Sequence, residues 1–210
     1  MGGVDPVVKS PAALSLEQVS CSYGGLRSVV DQVSFDVAPG EIVALVGPNG
    51  AGKTTLLNVI NGIHPLDGGR IHLGGKDVTS HGTHRRARGG MSRSFQLVRL
   101  FGDLSATRNI ELGLAARKPP GFLNSLLHLP KHSKFRKNSA SLTTEALEEV
   151  GLTTLAKRRT MDVSHGQARR IEIARAITSD PKVLLLDEPT SGLHAGVIKT
   201  LGPIIKQQAA

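Results

Sequence analysis

One run of residues has the types and spacing that phosphate chemistry needs: Gly47-Pro48-Asn49-Gly50-Ala51-Gly52-Lys53-Thr54, with Thr55 directly after it. It has the form G-x-x-x-x-G-K-[ST] and lies between an apolar run, Ile42 to Val46, and a helical pattern that starts at Lys53. Glycines let the backbone curl so that successive N–H groups point at phosphate oxygens. The N-terminus of the following helix adds its partial positive charge. Lys53 would reach the β- and γ-phosphates of a nucleoside triphosphate, and the Thr54 hydroxyl would ligate Mg2+. A second run, Val183-Leu184-Leu185-Leu186-Asp187-Glu188, ends an apolar strand on two acids. Asp187, at the carboxyl end of a strand, is placed to hold Mg2+ directly or through water. Glu188 is then free to polarise an attacking water as a general base.

These residues need elements to hold them. Met1 to Ala13 shows no period and reads as a frayed tail. Leu14–Ser20 and the stretch through Val33, Phe35 and Val37 alternate as short strands. Ile42 to Val46 is a continuous apolar run, which predicts a strand buried on both faces of a parallel sheet. Lys53 to Asn61 predicts a helix closed by Gly62, and Ile71 to Leu73 a short strand before the Gly74-Gly75 turn. From about Ser105 to Val163 strand-like runs are missing, and the segment reads as a helical insertion broken at Pro119-Pro120 and Pro130. Beyond it Ala168, Ile171, Ala174 and Ile177 recur every three residues with Arg169, Arg170, Glu172 and Arg175 between them, the pattern of an amphipathic helix ending before Pro181. The fold class expected is α/β, a phosphate-loop NTPase core with a mixed, largely parallel sheet and an inserted all-helical subdomain. The expected division is a tail over 1–13, a core over 14–104 and 164–210, and a helical subdomain over 105–163.

Composition narrows the partners. Lys+Arg 26 against Asp+Glu 17 gives a formal charge of +9 over 210 residues, a balance that favours an anionic partner: nucleotide, nucleic acid or an anionic membrane leaflet. With Tyr 1, Phe 5 and Trp 0 there are few platforms on which single-stranded bases could stack, so no nucleic acid is expected. Cys21 is the single cysteine, which excludes an internal disulfide and a thiolate metal site. No apolar run approaches the ~18 residues of a membrane span. The opening Met1 to Pro6 lacks a secretory plan, so a cytosolic enzyme is the expected class. The basic runs Arg85-Arg86-Ala87-Arg88, 131–137 and Lys157-Arg158-Arg159 read as solvated surface, with contact to an anionic leaflet as the functional alternative. The scattered histidines, His64, His72 and His128 among them, lack metal-ligand spacing.

Taken in order, these residues resemble the ATP-binding subunits of ABC transporters from about Leu14 to the end of the chain. Tyr23, before Gly24-Gly25, sits where that family stacks an aromatic ring on adenine. Gln96, in Ser94-Phe95-Gln96, matches the glutamine that touches Mg2+ and links core to insertion. Val163-Ser164-His165-Gly166-Gln167 matches the signature loop, and Asp187-Glu188-Pro189-Thr190 the second acidic motif. The resemblance implies that Ser164, Gly166 and Gln167 cover the γ-phosphate held by an opposite subunit. Two nucleotides would then be clamped in a head-to-tail dimer, homotypic or with a paralogue. It further implies ATP and Mg2+ as cofactors, permease subunits as partners, and a peripheral place on the cytoplasmic face of the membrane. Lys53, Gln96 and Glu188 would carry catalysis, and Thr54, Gln96 and Asp187 the metal.

A finer resemblance is to the branched-chain amino acid importer group. It rests on Gln96-Leu97-Val98-Arg99-Leu100-Phe101, on Leu104 and Asn109-Ile110, on His84-Arg85-Arg86-Ala87-Arg88, on the insertion 121–137, and on Ser164-His165-Gly166-Gln167-Ala168-Arg169-Arg170. It implies a subunit that energises uptake of branched-chain or hydrophobic amino acids. Lipopolysaccharide-exporting and other-substrate ATPases of the same family are the alternative. By the same resemblance 99–102 and Leu104 touch a membrane partner, with core packing as the other reading. Two positions depart from the family. Ser191-Gly192-Leu193-His194 ends on His where most members have Asp. The γ-phosphate-sensing histidine expected some tens of residues past the catalytic glutamate is missing: the sequence given ends 22 residues after Glu188 (210 minus 188), and His194 is too near to serve. The expectation is that the chain binds MgATP and hydrolyses it poorly, as a truncated or divergent cassette would.

Overall fold

The computed structural model describes residues 12–23, 28–94, 100–117, 130–189 and 202–203. Its first sheet is antiparallel, with β1 (Leu14–Ser22) between β2 (Ser28–Val37) and β3 (Gly68–Leu73), and β4 (Lys76–Asp77) outside β3. Leu14 and Leu16 face the core, where strict alternation would next bring in residues 18 and 20. A register shift between Leu16 and Val19, with Gln18 at φ 47°, resets the phase so that Val19 and Cys21 are buried instead.

The second sheet is a parallel pair, β5 (Met91–Ser94) and β6 (Val183–Leu186), in register from Met91↔Val183 to Ser94↔Leu186. Its inward residues Met91, Val183 and Leu185 join Leu16, Ile60 and Ile71 in one apolar cluster. In sequence α1 (Lys53–Ile60) lies between β2 and β3, and α2 (Thr83–Arg88) between β4 and β5. The buried face of α1 is Leu56, Leu57, Val59 and Ile60. A second cluster gathers Ala106 and Ile110 of α3 (Ala106–Arg117), Ala146 and Leu147 of α4 (Pro130–Glu149), and Ile171, Ile173 and Ile177 of α5 (His165–Thr178).

Two expectations are corrected. Ile42 to Val46 forms no strand: Ile42 is 56% and Val46 93% exposed, and among the described residues no strand pairs with the segment. An apolar run becomes a buried strand only when neighbouring strands take up its N–H and C=O groups, and here the side chains of the run stay exposed instead. The helix α5 is also not amphipathic in the simple sense. Arg169 and Glu172, which its pattern places among polar residues, are 2% and 1% exposed and form an ion pair at 2.7 Å.

Candidate phosphate and cation site

The phosphate loop leads into α1 through Gly52, whose φ of 83° is the left-handed region that favours glycine. A Cβ there would lie 2.6 Å from the Val29 carbonyl oxygen, so steric room as well as torsion selects glycine. No side chain caps α1, which leaves its N-terminal dipole open toward the loop. Lys53 Nζ donates to the carbonyls of Gly47 at 2.7 Å and Pro48 at 2.8 Å, folding the lysine back over its own loop. Gly47, Pro48, Asn49, Gly50 and Ala51 are exposed, as is Thr54, while Thr55 is half-buried.

From the far end of the chain β6 delivers Asp187, which is buried. Thr54 Oγ1 donates to Asp187 Oδ1 at 3.5 Å, across 133 residues of sequence. The other carboxylate oxygen, Oδ2, pairs with Arg93 Nη2 at 3.0 Å, and Arg93 Nη1 donates to Asn58 Oδ1 at 2.7 Å. A hydroxyl and a carboxylate are hard oxygen donors of the kind Mg2+ takes together with phosphate oxygens and water. Among the described residues no three of His, Cys, Asp or Glu gather, so a cation here would depend on those further oxygens.

Glu188 is exposed and has φ 45°, a backbone state uncommon for a residue with a Cβ. Arg169 Nη2 donates to the carbonyls of both Asp187, at 2.8 Å, and Glu188, at 3.1 Å. The buried cation of α5 thereby fixes the turn that presents the two acids. Ser164 caps α5 with its side chain, accepting from Gln167 N at 3.3 Å, while Gln167 Oε1 accepts from Ser164 N at 2.9 Å. Among the described residues no hydrogen bond joins Ser164, Gly166 or Gln167 to the phosphate loop. Tyr23 is half exposed, with its hydroxyl 3.5 Å from Thr55 Oγ1 and its ring edge-on to His64 at 4.5 Å. Gln96, Thr190 and the loop Ser191 to His194 lie outside the described residues.

Several residues that the motifs do not single out carry this arrangement. Arg86, read as part of a basic surface run, is 2% exposed and donates to the carbonyls of Val59, Ile60, His81 and Thr79 at 2.7–2.9 Å. It closes the C-terminal end of α1 with a cation, which also suits the helix dipole. Burial pushes its guanidinium below the ordinary arginine value. Arg85 and Arg88 are exposed, as expected of a solvated face. Buried Asn109 donates to the carbonyls of Phe101, Leu104 and Ser105 and accepts from Phe101 N at 2.9 Å, shaping the loop that leaves Phe101 58% exposed. Leu100 packs on the second cluster instead.

The sequence profile of the family described as ABC transporter matches residues 30–191. The high-affinity branched-chain amino acid transport ATP-binding protein BraF of Pseudomonas aeruginosa is 36% identical over 181 residues, 86% of this chain and 71% of that protein. The corresponding LivG of Escherichia coli K12 is 34% identical over 198 residues, 94% of this chain and 77% of that protein. Among solved structures, the ADP conformation of an ATP-binding cassette of an ABC transporter superposes with a TM-score of 0.74 at 28% identity. That match covers 94% of this chain and 77% of the other.

Proposed function

The chain belongs to the ABC transporter family, as an α/β ATP-binding cassette, and we propose that it energises the uptake of branched-chain or other hydrophobic amino acids. Nucleotide binding and ATP hydrolysis are the general activity of that family. The observation that carries the reading for this chain is the 3.5 Å approach of Thr54 Oγ1 to Asp187 Oδ1, which unites the two motifs at one point.

In this reading Gly47, Pro48, Asn49, Gly50, Ala51 and Gly52 wrap the phosphates with backbone N–H groups. Lys53 would leave its loop carbonyls for the β- and γ-phosphates, Tyr23 would stack on the adenine, and Thr55 would stand beside it. Thr54, Asp187 and Gln96 would hold Mg2+, which would supply charge neutralisation at the phosphates. Glu188 orients the attacking water and takes its proton. Ser164, Gly166 and Gln167 face outward at a helix N-terminus, the place for a γ-phosphate held by a second cassette.

Permease subunits are the proposed partners, with the exposed Phe101 and Leu104 as the contact region. Among the described residues no helix is long and apolar enough to cross a membrane, and a peripheral place on the cytoplasmic face follows from the partnership. The ATPase core over 14–104 and 164–210 and the helical subdomain over 105–163 are supported by the two separate apolar clusters, with α5 lending its apolar residues to the second.

The test is nucleotide binding and steady-state MgATP turnover of the chain beside Lys53→Ala and Glu188→Gln. Lys53→Ala is expected to lose binding, and Glu188→Gln to keep binding and lose turnover. Binding and rate unaltered in Lys53→Ala would remove the site assignment.

A further inference from the structure

The Arg93 guanidinium has no place in the motif chemistry, yet it is buried against the proposed cation site: its side chain is 4% exposed and that of Asp187 5%. A pair buried this deeply contributes little net stability, because desolvation offsets most of the attraction. Stability alone is therefore a weak account of an arginine at this position.

The geometry suggests another account. Arg93 sits on β5 opposite Leu185 of β6, two residues before Asp187. Its Nη2 takes Oδ2 of Asp187, at 3.0 Å, and leaves Oδ1 beside the Thr54 hydroxyl at 3.5 Å. Its Nη1 is held at 2.7 Å by Asn58 of α1, the helix that also carries Thr54. One planar fork thus spans the helix and the strand that bring the two oxygen donors together. Lysine, a point charge without a fork, cannot hold both partners in fixed directions.

We propose that Arg93 is a positioning residue for the divalent cation of the nucleotide site, holding one oxygen of Asp187 so that the other is presented beside Thr54, with Asn58 as its anchor. The proposal rests on Thr54 and Asp187 being the cation's ligands. Partners that hold a metal ligand in place typically contribute about 10–100-fold to metal affinity.

The readout is the cation gain: ATP affinity of the full chain with Mg2+ divided by its affinity in EDTA, measured by titration calorimetry and without reference to turnover. Arg93→Met is expected to lower the gain by about 10-fold or more while affinity in EDTA stays the same. Arg93→Lys is expected to restore part of the gain, and Asn58→Ala to lower it by less than Arg93→Met does. A full gain in Arg93→Met overturns the proposal. So does an increased gain, which would mean that the guanidinium competes with the cation. Should Arg93→Met fail to fold, undiminished gain in both Arg93→Lys and Asn58→Ala overturns it. A wild-type chain that binds ATP equally well with and without Mg2+ removes the Thr54–Asp187 reading itself, a result distinct from failure of the Arg93 step.

Discussion

Replacing Arg169 with methionine is expected to destabilise the chain by about 3 kcal/mol, at the low end of the ~3–5 kcal/mol that follows when one partner of a buried ion pair is removed. The pair is among the most enclosed in the molecule, with side chains 2% and 1% exposed and nitrogen and oxygen 2.7 Å apart. Arg175 also faces Glu172 electrostatically, so the carboxylate keeps a second cation, which is why the low end applies. Loss of the two bonds from Nη2 adds to the cost, because the carbonyls of Asp187 and Glu188 then need other donors. Against a typical total of about 5–15 kcal/mol the loss is large, and it appears as a lower urea midpoint at constant m. The assay is urea unfolding followed by far-ultraviolet circular dichroism, with Glu172→Leu and the Arg169→Met/Glu172→Leu double variant alongside. Removing both charges should recover much of the loss, since apolar replacements of a buried pair are often neutral. ATP affinity should fall in Arg169→Met, because Arg169 holds the turn that presents Asp187. A single variant within about 1 kcal/mol of wild type, or a double variant weaker than either single one, would refute the reasoning.

Gly52→Ala should cost at least ~1–2 kcal/mol for the left-handed backbone alone. With the Cβ 2.6 Å from the Val29 carbonyl oxygen it should also weaken ATP binding; a calorimetric titration that matches wild type would contradict the loop geometry. Arg86→Lys should lower stability by about 2 kcal/mol, because one ammonium cannot serve four carbonyls on two segments; thermal melts read the loss. Burial, with a smaller contribution from Asp67, raises the Cys21 thiol above its ordinary value, so the thiol should react sluggishly with disulfide reagents in the native chain and readily in urea. The linked stability has a definite sign: it is fully present below the ordinary thiol value and is lost as pH rises through the raised one. A urea midpoint that climbs at alkaline pH in wild type relative to Cys21→Ala would contradict it.

Much of the site was legible because it is local. The run from Gly47 to Thr54 fixes its own turn through glycine torsions, α1 starts and stops where Gly52 and Gly62 stand, and the apolar residues of β6 lead into Asp187. The antiparallel strands were legible from alternation, and the break from Leu16 to Val19 across Glu17-Gln18 marks the Gln18 bulge, whose geometry strand pairing sets.

What the tertiary structure alone decided is where cations and apolar backbone come to rest. Arg86 reads as part of a solvated basic run and Arg169 as part of a polar helix face, and no sequence pattern singles out Arg93. Each is buried because carbonyls and carboxylates from distant elements meet its donors: Val59 for Arg86, and Asp187 for both Arg93 and Arg169. Ile42 to Val46 misled in the opposite direction, as an apolar run that stays exposed. Side-chain hydrophobicity is a property of the residue, whereas satisfaction of a guanidinium or of a strand backbone is a property of its neighbours, which only the folded chain supplies.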